Sequence, residues 1–411
     1  MKKTGISGAL LLVFSLLFLL APGAGAEKTD GGFIGLLRCP GERTLGIAFR
    51  GDTENYPENT LEGIISAQKT GIDACLVNVS FTSDGVAVLF ADETAERTCG
   101  SNGKIAELTF DELSEMPLKN SEGGVYEKTD CRVPSLENVL TECKKLGFSL
   151  VISCRAQEIA AVTELLKKTD TLSLCALTVN DTAENIENGL KSCKNAPVII
   201  GEIRNNIIFK LTSYENKIEA LGGAAVTLRT TNRYGVNYYK SHLALLDGRL
   251  RAVADLSDTL TAGSRCDCEK WWDDLISRGY SVIITREPAK FADYLKRTQN
   301  ARDGLEAELK KAEDFPLPEF KKEFLNDYIK AYNDAVAQAN SLLADKSSAL
   351  ANIDDTTAAL KKALIDINLN YEGLEDGSAG LNVTPASIFL CCFAAALVLS
   401  AEIYTYRKRK K

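Results

Sequence analysis

Leu45-Gly46-Ile47-Ala48-Phe49-Arg50-Gly51 opens the stretch that decides the fold. It is an apolar run of strand length that stops at a charged residue and a glycine. A second run follows at Cys75–Phe81 and a third at Val86–Phe90, with only Thr82-Ser83-Asp84-Gly85 between them. Those four residues leave room for a turn but not for a helix.

The same pattern continues down the chain. Further β-rich runs are Ser149–Ser153, Leu172–Val179, Val198–Ile203, Ala224–Leu228, Leu250–Ala254 and Tyr280–Thr285. Amphipathic segments separate most of them, among them Leu61–Thr70, Leu136–Leu146, Ile159–Lys168 and Trp271–Arg278. Near-continuous apolar strands alternating with helices imply an α/β protein whose parallel sheet is covered on both faces. Eight or nine strands in about 250 residues favour a closed (β/α)8 TIM barrel over an open sheet.

In such barrels the chemistry sits at the C-terminal strand ends. Here those ends carry Phe49-Arg50-Gly51, Leu76-Val77-Asn78-Val79 and Phe90-Ala91-Asp92. Pro57-Glu58-Asn59-Thr60 lies between the first two, and Asp84-Gly85-Val86 makes the turn before Val88-Leu89-Phe90-Ala91-Asp92. In order and spacing the series resembles the glycerophosphodiester phosphodiesterase family, which reads His-Arg-Gly, Pro-Glu-Asn-Thr, Glu-x-Asp, an Asp-Gly turn and Phe-His-Asp. Glu96-Arg97-Thr98, Leu108–Leu113, Val133–Leu140 and Ile283-Ile284-Thr285-Arg286-Glu287-Pro288 resemble further strings of that family. The likeness spans about residues 44–296, and is specific in the first hundred and loose from 155 to 275.

The resemblance implies hydrolysis of a phosphodiester in lipid metabolism. Two histidines serve as acid and base, and carboxylates hold a divalent cation such as Ca²⁺ or Mg²⁺. Residue by residue, that apparatus is missing. The histidine positions hold Phe49 and Ala91, the metal pair is Leu76 and Asn78, and a later strand carboxylate aligns near Ser153. Phenylalanine, leucine and alanine neither transfer protons nor bind a hard cation, and asparagine offers a neutral carbonyl. The expectation is therefore a pseudoenzyme with no cofactor. The competing reading, an active phosphoric diester hydrolase with a rebuilt site, finds no substitute acid–base pair. His242 is the only histidine and lies far from the motif. Arg50, Glu58, Asp92 and Arg155 remain as candidate ligand-binding residues, because guanidinium forks suit phosphate oxygens without proton chemistry. The expected ligand is a phosphodiester or a teichoic-acid-like glycerol phosphate. Against this stands a plain structural role, in which Arg50 and Glu58 persist because they pair and hold loops. Arg50-Gly51-Asp52 also spells a cell-adhesion tripeptide, but the family motif already accounts for its first two residues.

The rest of the sequence places this barrel. Lys2 and Lys3, the apolar run Ala9–Leu20 and Ala24-Gly25-Ala26 give residues 1–26 the form of a signal peptide. Residues 386–406 read as a single transmembrane helix and 407–411 as a basic cytoplasmic tail. This would make the chain a single-pass protein of the cell membrane with an extracellular N-terminal ectodomain. The barrel is expected over 40–296 and a glycine-bearing hinge over 372–385. Between them, 297–371 is expected to form three helices: Ala301–Glu313, a second carrying a Tyr332–Val336–Ala339 stripe, and a third with Ile353, Thr357, Leu360, Leu364 and Ile367 on one face. Residues 315–367 resemble the FIVAR modules of bacterial surface proteins, as a stalk. A formal net charge of −8 argues against a nucleic-acid surface. Of the twelve cysteines, Cys75, Cys154 and Cys175 sit in strand-like runs and read as buried apolar residues.

Overall fold

The fold is seen in a computed structural model, which describes residues 32–120, 127–203, 208–228, 243–257, 267–315 and 326–375. The proposed signal peptide, hinge residues 376–385, the transmembrane helix with its tail, and His242 lie outside the described residues, while residues 372–375, expected in the hinge, instead end the helix Leu350–Glu375.

Eleven strands are described: β1 (Leu45–Phe49), β2 (Ala74–Phe81), β3 (Ala87–Leu89), β4 (Lys119–Asn120), β5 (Glu127–Lys128), β6 (Ser149–Cys154), β7 (Cys175–Val179), β8 (Val198–Ile203), β9 (Ala225–Leu228), β10 (Arg251–Asp255) and β11 (Val282–Thr285). Eight of them run parallel in the order β1-β11-β10-β9-β8-β7-β6-β2, and β1 also pairs with β2, so the sheet closes on itself. This is the expected eight-stranded barrel. Closure fixes the register, with Leu45 beside Val282 on one side of β1 and Ile47 beside Ala74 on the other. The ninth strand, β3, folds back antiparallel on β2, with Val79 opposite Leu89. The Thr82–Gly85 turn is closed by the Thr82 N–H donating to the Val86 carbonyl at 3.1 Å, with Gly85 at φ 79°.

The strands are apolar throughout because both faces are covered. One set of side chains fills the barrel: Leu45, Ile47 and Phe49 from β1, with Leu76, Val151, Val198, Ile200, Val253 and Ile284 from other strands. The alternate set, including Cys75, Val77, Leu150, Ile152, Leu177, Val226 and Ile283, packs in the outer layer with residues of the surrounding helices such as Ile64, Leu140 and Ile159. A short helix, Gly32–Leu37, joins the inner set through Phe33 and Leu37, and plugs the end where the strands begin. Gly46 is required by close packing, since a Cβ there would meet Ile72 Cδ1 at 2.5 Å and Phe291 Cδ1 at 2.9 Å. The predicted helices are present at Leu61–Lys69, Leu136–Leu146, Ile159–Lys168 and Glu269–Arg278. Cys75, Cys154 and Cys175 are buried, and all nine cysteines among the described residues are free thiols.

The described chain divides into two compact units, 32–303 with 342–353, and 304–341 with 354–375. The sequence places the barrel boundary at 296/297. The turn before the last helix instead belongs to the barrel unit, where the Arg302 guanidinium donates to the carbonyls of Leu343 (2.6 Å) and Asp345 (2.8 Å). Two details of the helical region differ from expectation. Its first helix begins at Pro288, not Ala301, because no breaker interrupts the run to Glu313. On the helix Leu350–Glu375 the buried positions are Ile353, Thr356, Leu360, Ala363 and Ile367. The buried stripe is thus turned from Thr357 and Leu364 onto Thr356 and Ala363, and the alanine permits closer helix approach. Among the described residues no helix is long and apolar enough to cross a membrane.

Candidate functional site

At the C-terminal end of β1 the backbone turns sharply. Arg50 has φ 60° and is followed by Gly51 at φ 98°, and Asn59 also lies in the left-handed region at φ 58°. Each non-glycine in that region costs about 1–2 kcal/mol, so the surroundings must hold it there. The Arg50 N–H donates to the Leu76 carbonyl at 2.8 Å, and the Asn59 N–H donates to the Arg50 carbonyl at 2.9 Å. Asn59 Oδ1 accepts from the Asn78 N–H at 2.9 Å, which ties the Pro57–Thr60 segment to β2. Thr60 then caps Leu61–Lys69 by accepting from the Gly63 N–H at 3.2 Å. A Cβ on Gly51 would lie 2.9 Å from the Gly63 carbonyl carbon, so the glycine is demanded by the helix passing beneath it.

The Arg50 side chain lies across the strand ends. Its Nε donates to Asn78 Oδ1 at 2.7 Å and its Nη1 to Glu58 Oε1 at 2.9 Å. Glu58 also receives both terminal nitrogens of Arg97, at 2.6 and 3.0 Å, and the Arg97 Nε donates to Asp92 at 2.6 Å. Burial alone would raise the Glu58 carboxyl, but the hydrogen bonds from Arg97 and the charges of Arg50 and Arg97 outweigh it and hold Glu58 below its ordinary value. Arg97 is pushed up, chiefly by its bonds to Glu58. Burial lowers Arg50, yet a guanidinium stays charged at any physiological pH.

Phe49 ends β1 with its ring against two cations, the Arg50 guanidinium at 4.5 Å and that of Arg286 at 5.0 Å from the centroid. Arg286 follows β11; its N–H donates to Asp267 at 2.7 Å and its Nε to the Ser257 carbonyl at 2.9 Å. Sequence reasoning passed over Arg97 and Arg286 as site residues. Their signal was faint: Arg97 stands five residues after Asp92, and Arg286 replaces an acidic residue of the closing motif it otherwise resembles.

Beside this cluster the ends of β2, β6, β7 and β8 enclose a cleft of about 620 Å³, and Asn78, Ala91, Asp92, Ser153 and Arg155 reach its wall. The structure therefore brings Arg50, Glu58 and Asp92 into one network and leaves Arg155 out of it. Arg155 is bound to Glu158, its own neighbour along the chain, through the side chain and through its N–H at 2.8 Å. Its proximity to the strand end comes from a local capping turn. The cleft wall also carries Glu93, Asp181 and Glu202. A family-type divalent cation does not fit this donor set. Leu76 is buried in the barrel interior, and the Asn78 carboxamide oxygen already accepts from Arg50. Among the described residues, no three His, Cys, Asp or Glu side chains are grouped to hold a metal.

Residues 50–222 match the sequence model of the Glycerophosphoryl diester phosphodiesterase family. Over these residues the barrel carries a domain similar to that family. Glycerophosphodiester phosphodiesterase 1 of Mus musculus is 35% identical over 111 residues, 27% of this chain and 34% of that protein. The glycerophosphodiester phosphodiesterase of Caldanaerobacter subterraneus is 38% identical over 74 residues, 18% of this chain and 30% of its own. The chain thus spans about a third of the length of these curated relatives. Among solved structures, a glycerophosphoryl diester phosphodiesterase from Parabacteroides distasonis superposes with a TM-score of 0.53 at 19% identity, covering 64% of this chain and 91% of that one. A second, from Silicibacter pomeroyi, gives 0.51 at 16% identity, covering 64% and 96%. At these identities the likeness is one of fold.

Proposed function

We propose that this chain is a member of the glycerophosphodiester phosphodiesterase family that holds ligand at the barrel mouth without hydrolysing it. The observation that carries the reading is the placement of Arg50. Its guanidinium bonds Asn78, the residue at a family metal-ligand position, and Glu58, so an internal cation stands among the groups that would otherwise meet a metal. Phe49 and Ala91 offer no proton donor or acceptor at the two family histidine positions. A phosphodiester or another anionic glycerol phosphate would be received by the guanidiniums of Arg50, Arg97 and Arg286, which gather around Glu58 and Asp92. The site is proposed to work outside the membrane, on an ectodomain exported by residues 1–26 and anchored by 386–406.

Two measurements test this. Purified protein with glycerophosphocholine and Ca²⁺, Mg²⁺ or Mn²⁺ is expected to show no turnover above background, while calorimetry with glycerophosphodiesters or short glycerol teichoic-acid fragments shows saturable binding. Turnover that Arg50→Ala abolishes would establish the rebuilt-enzyme reading instead. Absence of binding at millimolar ligand would leave Arg50 and Glu58 a purely structural pair. For the anchor, removal of residues 386–411 is expected to release the protein from the membrane fraction.

A further inference from the structure

At the opposite end of the barrel, where the strands begin, lies a second cavity of about 280 Å³. Four cationic side chains line it: Arg43, Lys296, Arg302 and Lys346. Such a concentration is unexpected in a chain with net charge −8. Asp73 is the one carboxylate in the lining, and its oxygens are occupied by the Arg43 fork and by the Gly46 N–H at 2.8 Å. Lys346 pairs with Glu42 at 2.8 Å. Arg302 instead directs its terminal nitrogens at two main-chain carbonyls, which accept hydrogen bonds but do not cancel its charge. Lys296 has no ion-pair partner among the described residues. Asp303 and Asp345 are outside the lining, and their carboxylates accept from the Gln299 amide and the Ser347 N–H. Within the lining, two positive charges are therefore left without a carboxylate partner, in a space the size of a small phosphate ester.

We propose that this cavity binds a phosphate monoester group, whose two negative charges match the two uncompensated cations. It is independent of the barrel mouth, since it draws on the residues preceding β1 and β2 and on the helix after β11.

The test is calorimetry of the full-length protein with inorganic phosphate, methyl phosphate and dimethyl phosphate. Inorganic and methyl phosphate are expected to bind saturably in the millimolar range, and the singly charged diester about tenfold more weakly. Lys296→Glu, at an exposed position without structural bonds, is expected to weaken both dianions by at least about tenfold while leaving Tm unchanged. Lys194→Glu, at an exposed lysine outside both the mouth and this cavity, is expected to leave them unaltered. Bicelles containing phosphatidic acid that displace methyl phosphate would identify a lipid source; failure to displace it would point to a soluble ester. Absence of dianion binding, diester binding that Lys296→Glu weakens to the same degree, or dianion binding indifferent to Lys296→Glu would overturn the proposal.

Discussion

The barrel compensates its arginines in opposite ways at its two ends. At the C-terminal end Arg50 and Arg97 meet the carboxylates of Glu58 and Asp92, so charge is cancelled by charge. At the N-terminal end Arg251, only 1% exposed, is surrounded by carbonyl dipoles. Its Nε donates to Leu36 at 2.9 Å, and its terminal nitrogens donate to Cys39, Arg43 and Ser281 at 2.8 to 3.3 Å. Burial pulls its pKa down to about 10, and the surrounding charges do not restore it. A guanidinium among carbonyls joins chain segments without choosing a partner of opposite sign. Among carboxylates it creates a polar network that a ligand can enter and rearrange. The first arrangement suits a permanent plug and the second a binding surface.

Removing each cation or its partner should separate the two. Arg251→Met removes a charged donor from four carbonyls, of which those of Leu36, Cys39 and Ser281 keep a main-chain N–H, and unties the Gly32–Leu37 plug. A loss of about 3–5 kcal/mol is expected, read as a fall in Tm of roughly 10 °C. A drop of less than a degree would mean that the plug is held by Phe33 and Leu37 alone. Glu58→Gln at the other end leaves two arginines facing a neutral amide and should cost less, about 2 kcal/mol, because the mouth admits water.

The pH dependence sharpens the contrast. Glu58 lies below its ordinary 4.5 when folded, so its contribution is complete above that value and is lost as pH falls through the depressed one. The gap in denaturant midpoint between wild type and Glu58→Gln should therefore be full at neutral pH and close under acid, whereas Arg251→Met should show no such closing. Arg155→Ala is expected to have the smallest effect, about 1 kcal/mol or less, because its side chain is 69% exposed and its partner Glu158 keeps the bond from the residue 155 N–H. A larger effect on ligand binding than on stability would restore Arg155 to the site.

Restoring the family residues tests the mouth as a whole. Phe49→His, Leu76→Glu, Asn78→Asp and Ala91→His together are expected to confer Mn²⁺ binding, measurable by calorimetry, if Arg50 turns away from residue 78. No gain in metal binding would show that Arg50 keeps its place even beside two new carboxylates.

Much of this molecule was legible from the sequence. Strand positions followed from short apolar runs, because a parallel strand buried on both faces allows few polar residues; β1 and β8 run as expected. The residues standing at the family's histidine and metal-ligand positions, Phe49, Ala91, Leu76 and Asn78, could be named from the sequence, because that depends on side-chain identity alone. The tertiary structure decided which charges meet. Arg50 and Glu58 are eight residues apart and meet through the local turn closed by the Asn59 N–H on the Arg50 carbonyl, whereas Glu58 and Arg97 are thirty-nine apart and meet only in the folded barrel. Arg155 looked equivalent to Arg50 by its place at a strand end, yet a local turn gives it to Glu158. Arg251 gave no signal, since nothing in its sequence surroundings marks a cation that will be met by carbonyls of a helix and loop more than two hundred residues earlier. Apolar patterning is a local property and survives in a string of letters, whereas the partner of a charge is set by distances that exist only after the chain has closed.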